Sequence, residues 1–153
     1  MADTYTVERR ATVGAAPEQV YEQLVDFHQW VNWSPWEELD PELQRTYSGT
    51  DRGVGAVYEW SGNRKAGAGR MEITKAEPSS EVDVALAFLK PFKSTSAVTF
   101  TLSPAGDGTE VTWTMVGPKT FMTKVMGIFK SMDSFVGPDM EKGLAKLDAH
   151  LSH

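Results

Sequence analysis

The sequence predicts an α+β fold in which a curved antiparallel sheet is covered, on its concave apolar face, by one long C-terminal helix. Three observations carry this expectation. Apolar residues recur at every second position from residue 43 to residue 117, the stripe Val136, Met140, Leu144, Leu147 and Leu151 follows at helical spacing, and a strand-like and then a helix-like segment precede both. The 153 residues suit a single domain spanning 1–153, long enough to bury a large core.

The opening TYTVERRATVGA alternates as a strand does. In AAPEQVYEQLVDFHQWVNW the spacing turns helical: Pro17 suits a first turn, and Val20, Leu24, Phe27 and Trp30 recur at steps of four and three. A break is expected near Asp26, and Pro35 turns Ser34 away from helix, so regular structure should end near Asn32 to Trp33. Five runs of period two then follow. Their inward face collects Leu43, Tyr47, Tyr58, Trp60, Met71, Ile73, Val82, Val84, Leu86, Phe88, Val98, Phe100, Leu102, Val111, Trp113 and Met115. The connections SGNRK, EPSSE, KPFK and PAGDGT are short and rich in turn formers, and Asp107-Gly108 reads as a hairpin turn. After Pro118 the period is helical again, first in KTFMTKVMGIFKSM and then in SFVGPDMEKGLAKLDAHLSH. Gly117-Pro118 and Gly137-Pro138 punctuate the first of these segments, either as hinges or as terminators.

A net charge of −6 without a long Lys/Arg run argues against a nucleic-acid partner, since phosphate neutralisation supplies most of such affinity. With no cysteine there is no disulfide, thiolate nucleophile or cysteine metal site, which suits the cytoplasm. The first residues lack a signal-peptide layout, and no segment approaches the length of an integral membrane segment. His28, His150 and His153 have no carboxylate or second histidine at ligand spacing, so neither a metal nor a cofactor is expected, and surface positions are the reading for all three. The glycine pairs at 53–55 and 67–69 lead into strands rather than helices and therefore lack the helix N-terminus that binds phosphate; bulges or close packing are expected there.

FHQWVNWSPW, residues 27–36, holds three of the five tryptophans. Phe27 and Trp30 lie on the helical stripe that must face the sheet, so the cluster reads as the keystone of the helix-to-strand corner, with Trp36 beyond the helix end as the exception.

Phe27 with Trp30, Trp33, Ser34-Pro35-Trp36, Asp40-Pro41, Gly53-Val54-Gly55, Trp60 with Gly62-Asn63, Gly67 and Gly69 before Met71-Glu72-Ile73, Pro91-Phe92, Gly108-Thr109 with Val111-Thr112-Trp113, and Gly143-Leu144 stand in an order that spans the chain. By these residues the chain resembles the polyketide cyclase/dehydrase and lipid-transport group of the START-related SRPBCC superfamily. The resemblance implies the helix-grip fold and, as function, the binding or transport of a small apolar ligand such as a lipid or polyketide-like metabolite. Two other roles stay open: a cyclase or dehydratase acting on such a compound, and a protein-interaction module.

Either a filled core or a ligand cavity can occupy the space between sheet and helix. A void of ~300 Å³ costs several kcal/mol if left empty, so a space of that size should hold a ligand or water. The residues expected around a ligand are Tyr47, Tyr58, Trp60, Met71, Phe88, Phe100, Trp113 and Met115 from the sheet, with Met122, Met126, Phe129, Phe135 and Met140 from the closing helices. Five methionines between residues 115 and 140 suit repacking around ligands of varied shape. Arg45 shares parity with Leu43 and Tyr47, which aims its guanidinium inward unless a bulge frees it, and the hydroxyls of Tyr47 and Tyr58 can orient a ligand oxygen or bond to backbone and water. No two acid–base groups are seen to converge.

Overall fold

The computed structural model describes residues 4–37, 40–63, 67–90, 93–118 and 132–151, with side chains from Val136 onward in the last of these stretches. The chain runs through strand β1 (Thr4–Val13), helix α1 (Pro17–Val25), a 3-10 turn (Phe27–Asn32), strands β2 (Gln44–Gly49), β3 (Ala56–Ser61), β4 (Ala68–Glu77), β5 (Glu81–Lys90), β6 (Ser94–Ala105) and β7 (Gly108–Pro118), and helix α2 (Met132–Leu151). All neighbouring strands are antiparallel, in the order β1-β7-β6-β5-β4-β3-β2. Six strands occupy the region where the sequence shows five runs, and β1 returns to the far edge beside β7. This is the helix-grip architecture.

Local chemistry explains the boundaries. Pro17 opens α1, where the missing N–H costs nothing, and the Gln19 side chain accepts from the Ala16 N–H at 3.2 Å. At Asp26 the backbone becomes extended; its carboxylate then accepts from the His28 N–H at 3.0 Å and caps the 3-10 turn, so the expected break falls where the side chain can hold it.

Two of the expected punctuation marks move. The β6–β7 hairpin turns on Gly106 and Asp107, with Ala105 paired to Gly108, rather than on Asp107-Gly108. Gly106 takes φ +60°, the conformation that the first central residue of a type II′ turn requires and that glycine adopts without strain. Likewise α2 is not ended by Gly137-Pro138 but runs through the pair. Gly137 is where β1 approaches, since a Cβ there would run into the Arg9 guanidinium. The Gly117-Pro118 pair does close β7.

The inward residues of the period-two pattern are buried or half-buried, and outward neighbours such as Thr74, Thr101 and Ser103 are exposed. Val136, Met140, Leu144 and Leu147 of α2 are buried against them. Polar contacts hold α2 onto the first strand: Arg9 Nε donates to Glu141 at 2.7 Å, and the Gly14 N–H donates to Asp148 at 2.8 Å.

Candidate functional site

The tryptophan cluster is built into the corner. Trp33 has no exposed surface and Trp30 only 2%. Their indole N–H groups donate to the carbonyls of Gln23 at 3.2 Å and Leu24 at 3.0 Å, which satisfies both buried donors. Trp33 packs edge-on against Phe100 and Trp113, with centroids 5.9 and 5.5 Å away. Trp36 is half-buried on the following loop, packs against Trp113 and donates to Asp139 of α2 at 3.4 Å.

That loop positions the residue next to it. The Glu37 N–H reaches back to the Ser34 carbonyl, and Pro35 sits so close to α2 that a Cβ on Gly143 would approach it to 2.8 Å. Glu37 is thereby delivered beneath the β2–β3 pair with its side chain only 8% exposed. Tyr58 Oη donates to its Oε2 at 2.8 Å and Arg45 Nε to its Oε1 at 2.7 Å. Burial, and then the charge of Glu37 and the hydrogen bond to it, push the Tyr58 phenol above its ordinary range. Burial and the same carboxylate raise Tyr47 as well. Both stay protonated at neutral pH, and the Tyr58 proton is held toward Glu37.

An aromatic ladder runs from this node. His28 stacks on Tyr47 with centroids 4.2 Å apart, Tyr47 stacks on its cross-strand partner Tyr58 at 5.4 Å, Tyr58 lies 6.2 Å from Trp60, and Trp60 meets Phe88 edge-on at 5.9 Å. Trp60 can lie across β4 only because residue 69 is glycine: a Cβ there would collide with the indole and approach the Ala87 carbonyl to 2.6 Å. Close packing is thus the role of Gly69, whereas Gly67 takes φ +65° in the turn between β3 and β4.

The sequence-expected residues separate into groups. Phe100, Trp113, Met115 and Met140 are buried, with Phe100 and Trp113 packed on the tryptophan corner, and Tyr58 is 3% exposed. Tyr47, Trp60, Met71 and Phe88 face the same way yet are only half-buried. Met122, Met126 and Phe129, and the side chain of Phe135, lie outside the described residues. Arg45 does turn toward the inward node, its side chain 30% exposed.

Sequence reasoning missed Glu37, whose place depends on a loop without periodicity. It also missed the Asp26–His28 pair, in which Nδ1 lies 2.8 Å from the carboxylate, two residues away rather than at a metal-ligand spacing. His28 is exposed, as expected. Among the described residues no group of three or more His, Cys, Asp or Glu could hold a metal, and no helix is long and apolar enough to cross a membrane. A shallow concavity of about 510 Å³ opens on the outer face of the sheet, bordered by Thr74, Asp83, Ala85, Ala97, Thr99 and Val116 among others.

Solved structures share this architecture at low identity. A protein of Mesorhizobium loti is 19% identical with a TM-score of 0.70, each chain covered to 96%. The Aha1 dimer from Colwellia psychrerythraea is 18% identical with a TM-score of 0.62, again covering 96% of both chains. DynU16, from the dynemicin biosynthetic locus, is 18% identical with a TM-score of 0.66; it matches 99% of this chain, which spans 48% of DynU16. These likenesses bear on the fold alone. No curated protein matches the chain. The sequence profile described as polyketide cyclase / dehydrase and lipid transport matches residues 4–152, and the chain belongs to that family.

Proposed function

We propose that the chain, acting as one domain, binds or carries a small apolar or aromatic ligand, a lipid or polyketide-like metabolite, between the β2–β5 part of the sheet and the closing helices. The observation that supports this is the gradient of burial along the inward face: around Trp33 and Phe100 the rings are fully enclosed, whereas Tyr47, Trp60, Met71 and Phe88 keep accessible apolar surface on the same face. In this reading those four residues and Tyr58 form the ligand wall, with Phe100, Trp113, Met115 and Met140 as its packed floor. Met122, Met126, Phe129 and Phe135 are further candidates from the sequence.

The enzymatic alternative, a cyclase or dehydratase, needs a hydrogen-bond donor aimed at a developing oxyanion. The one phenolic proton of Tyr58 is already given to Glu37, which favours binding over turnover. Native mass spectrometry of gently purified protein tests the proposal. A stoichiometric small molecule that is lost from a Trp60→Ala variant is the expected result; a ligand-free wild type that also shows no saturable uptake of an apolar fluorescent probe overturns it.

A further inference from the structure

The polar node beside the aromatic wall has a direction to its hydrogen bonding. Glu37 is acceptor-only when ionised, with about four lone-pair sites on its two oxygens. Two side-chain donors, Tyr58 Oη at 2.8 Å and Arg45 Nε at 2.7 Å, take one site on each oxygen. The Tyr58 oxygen, its proton committed, has only lone pairs left, and one of them faces the Arg45 guanidinium. What the node still offers among the rings is therefore acceptor capacity, and the donors left over belong to Arg45, on a side chain 30% exposed where water competes for them. The charges of Arg45 and Glu37 cancel, while a second anion would sit beside a carboxylate that is 8% exposed.

Resting on the ligand-binding reading above, we infer that Glu37 is a specificity-determining residue that selects neutral ligands bearing a hydroxyl on an aromatic or apolar skeleton, in preference to the corresponding ethers, ketones or carboxylates. The hydroxyl donates to the Glu37–Tyr58 acceptor pair while the ring lies on the Tyr47–Tyr58 stack, whose planes are within 20° of parallel. An ether of the same size brings another lone pair to lone pairs and leaves the carboxylate without a new donor.

Equilibrium dialysis of a matched probe pair, 2-naphthol and 2-methoxynaphthalene, tests this. A hydrogen bond to a charged acceptor corresponds to a preference for the naphthol of about tenfold. Glu37→Gln, which puts amide donors into the node, should bring the two probes to within about twofold, while Tyr58→Phe, which keeps the ring and frees a lone pair on Glu37, should retain the preference. Equal binding of both probes by the wild type leaves the pocket standing and overturns the selectivity, a comparison that needs no variant to fold. A preference lost in Tyr58→Phe but kept in Glu37→Gln overturns the assignment to Glu37. Binding of neither probe overturns the pocket itself, and the inference with it.

Discussion

Trp33 and Trp36 lie three positions apart and do different work. Trp33 is enclosed on all sides and its N–H is spent on a backbone carbonyl, so truncation leaves both a cavity and an unpartnered carbonyl. Trp30 is held in the same way. Trp30→Ala and Trp33→Ala should each destabilise by about 3–5 kcal/mol, whereas Trp36→Ala, half-buried and held by a 3.4 Å contact, should cost about half as much. Urea titration followed by far-UV circular dichroism measures all three; a Trp33→Ala protein of near-native stability would contradict the keystone assignment. Gly69 presents the converse case, where a single added methyl is the perturbation. Gly69→Ala should displace the Trp60 indole, cost about 1–3 kcal/mol by overpacking and shift tryptophan emission to the red. An unchanged emission maximum would mean that the indole does not lie over residue 69.

Strand β5 carries an element-scale consequence on its outward side. Asp83 Oδ1 is buried without a hydrogen-bond partner, and the Asp83 carboxyl is pushed up to about 6 by burial, by its hydrogen bond with Glu81 and by that neighbour's charge. Glu81, bonded to Asp83 and 3.4 Å from Lys75, moves the opposite way, so of the shared pair it is Asp83 that holds the proton. A carboxyl raised on folding stabilises in its protonated form. That contribution is complete below the unfolded value of about 3.9 and is lost as pH rises through about 6. Asp83→Asn imitates the protonated form, so it should raise stability by about 1 kcal/mol at pH 8, after allowing for solvent screening, and change it little at pH 4. Melting temperatures across that range decide the matter, and a variant that gains equally at both ends would assign the effect to packing. The inward side of the same strand was readable from alternation alone, because Val82, Val84 and Leu86 need only the pleat to place them. The Asp83–Glu81 pair shares one outward face by the same rule, yet nothing in the sequence says that an oxygen of Asp83 is closed off from water; that depends on neighbouring strands.

At the scale of the whole molecule, the antiparallel meander and the covering helix were legible because two periods, two and 3.6, divide the chain, whereas the sixth strand of the meander and the return of β1 to the edge beside β7 were not, since the pairing of distant strands leaves no local pattern. The Glu37 node was not legible, since it joins a loop, an edge strand and its neighbour through side chains whose meeting depends on how the corner packs. The packing is uneven from one side of the sheet to the other. On the β1-β7-β6 side, Val7, Phe100, Val111 and Trp113 are enclosed with α2 above them. On the β2-β3-β4 side the edge strand β2 is exposed along most of its length, and Trp60 and Met71 stay half-buried. Opening free energies follow such differences, because strands with few buried contacts exchange their amides through local fluctuations and enclosed ones only near global unfolding. Amide hydrogen exchange should therefore show β2 and β3 exchanging well ahead of β6 and β7 in the free protein. A ligand seated on the Tyr47–Tyr58–Trp60 wall should slow β2 and β3 several-fold and leave β6 and β7 nearly unchanged, since it binds the closed arrangement of one side only. Uniform slowing across all seven strands would place the ligand in the enclosed half instead, and protection confined to the outer-face concavity around Asp83 and Thr99 would place it on the wrong side of the sheet.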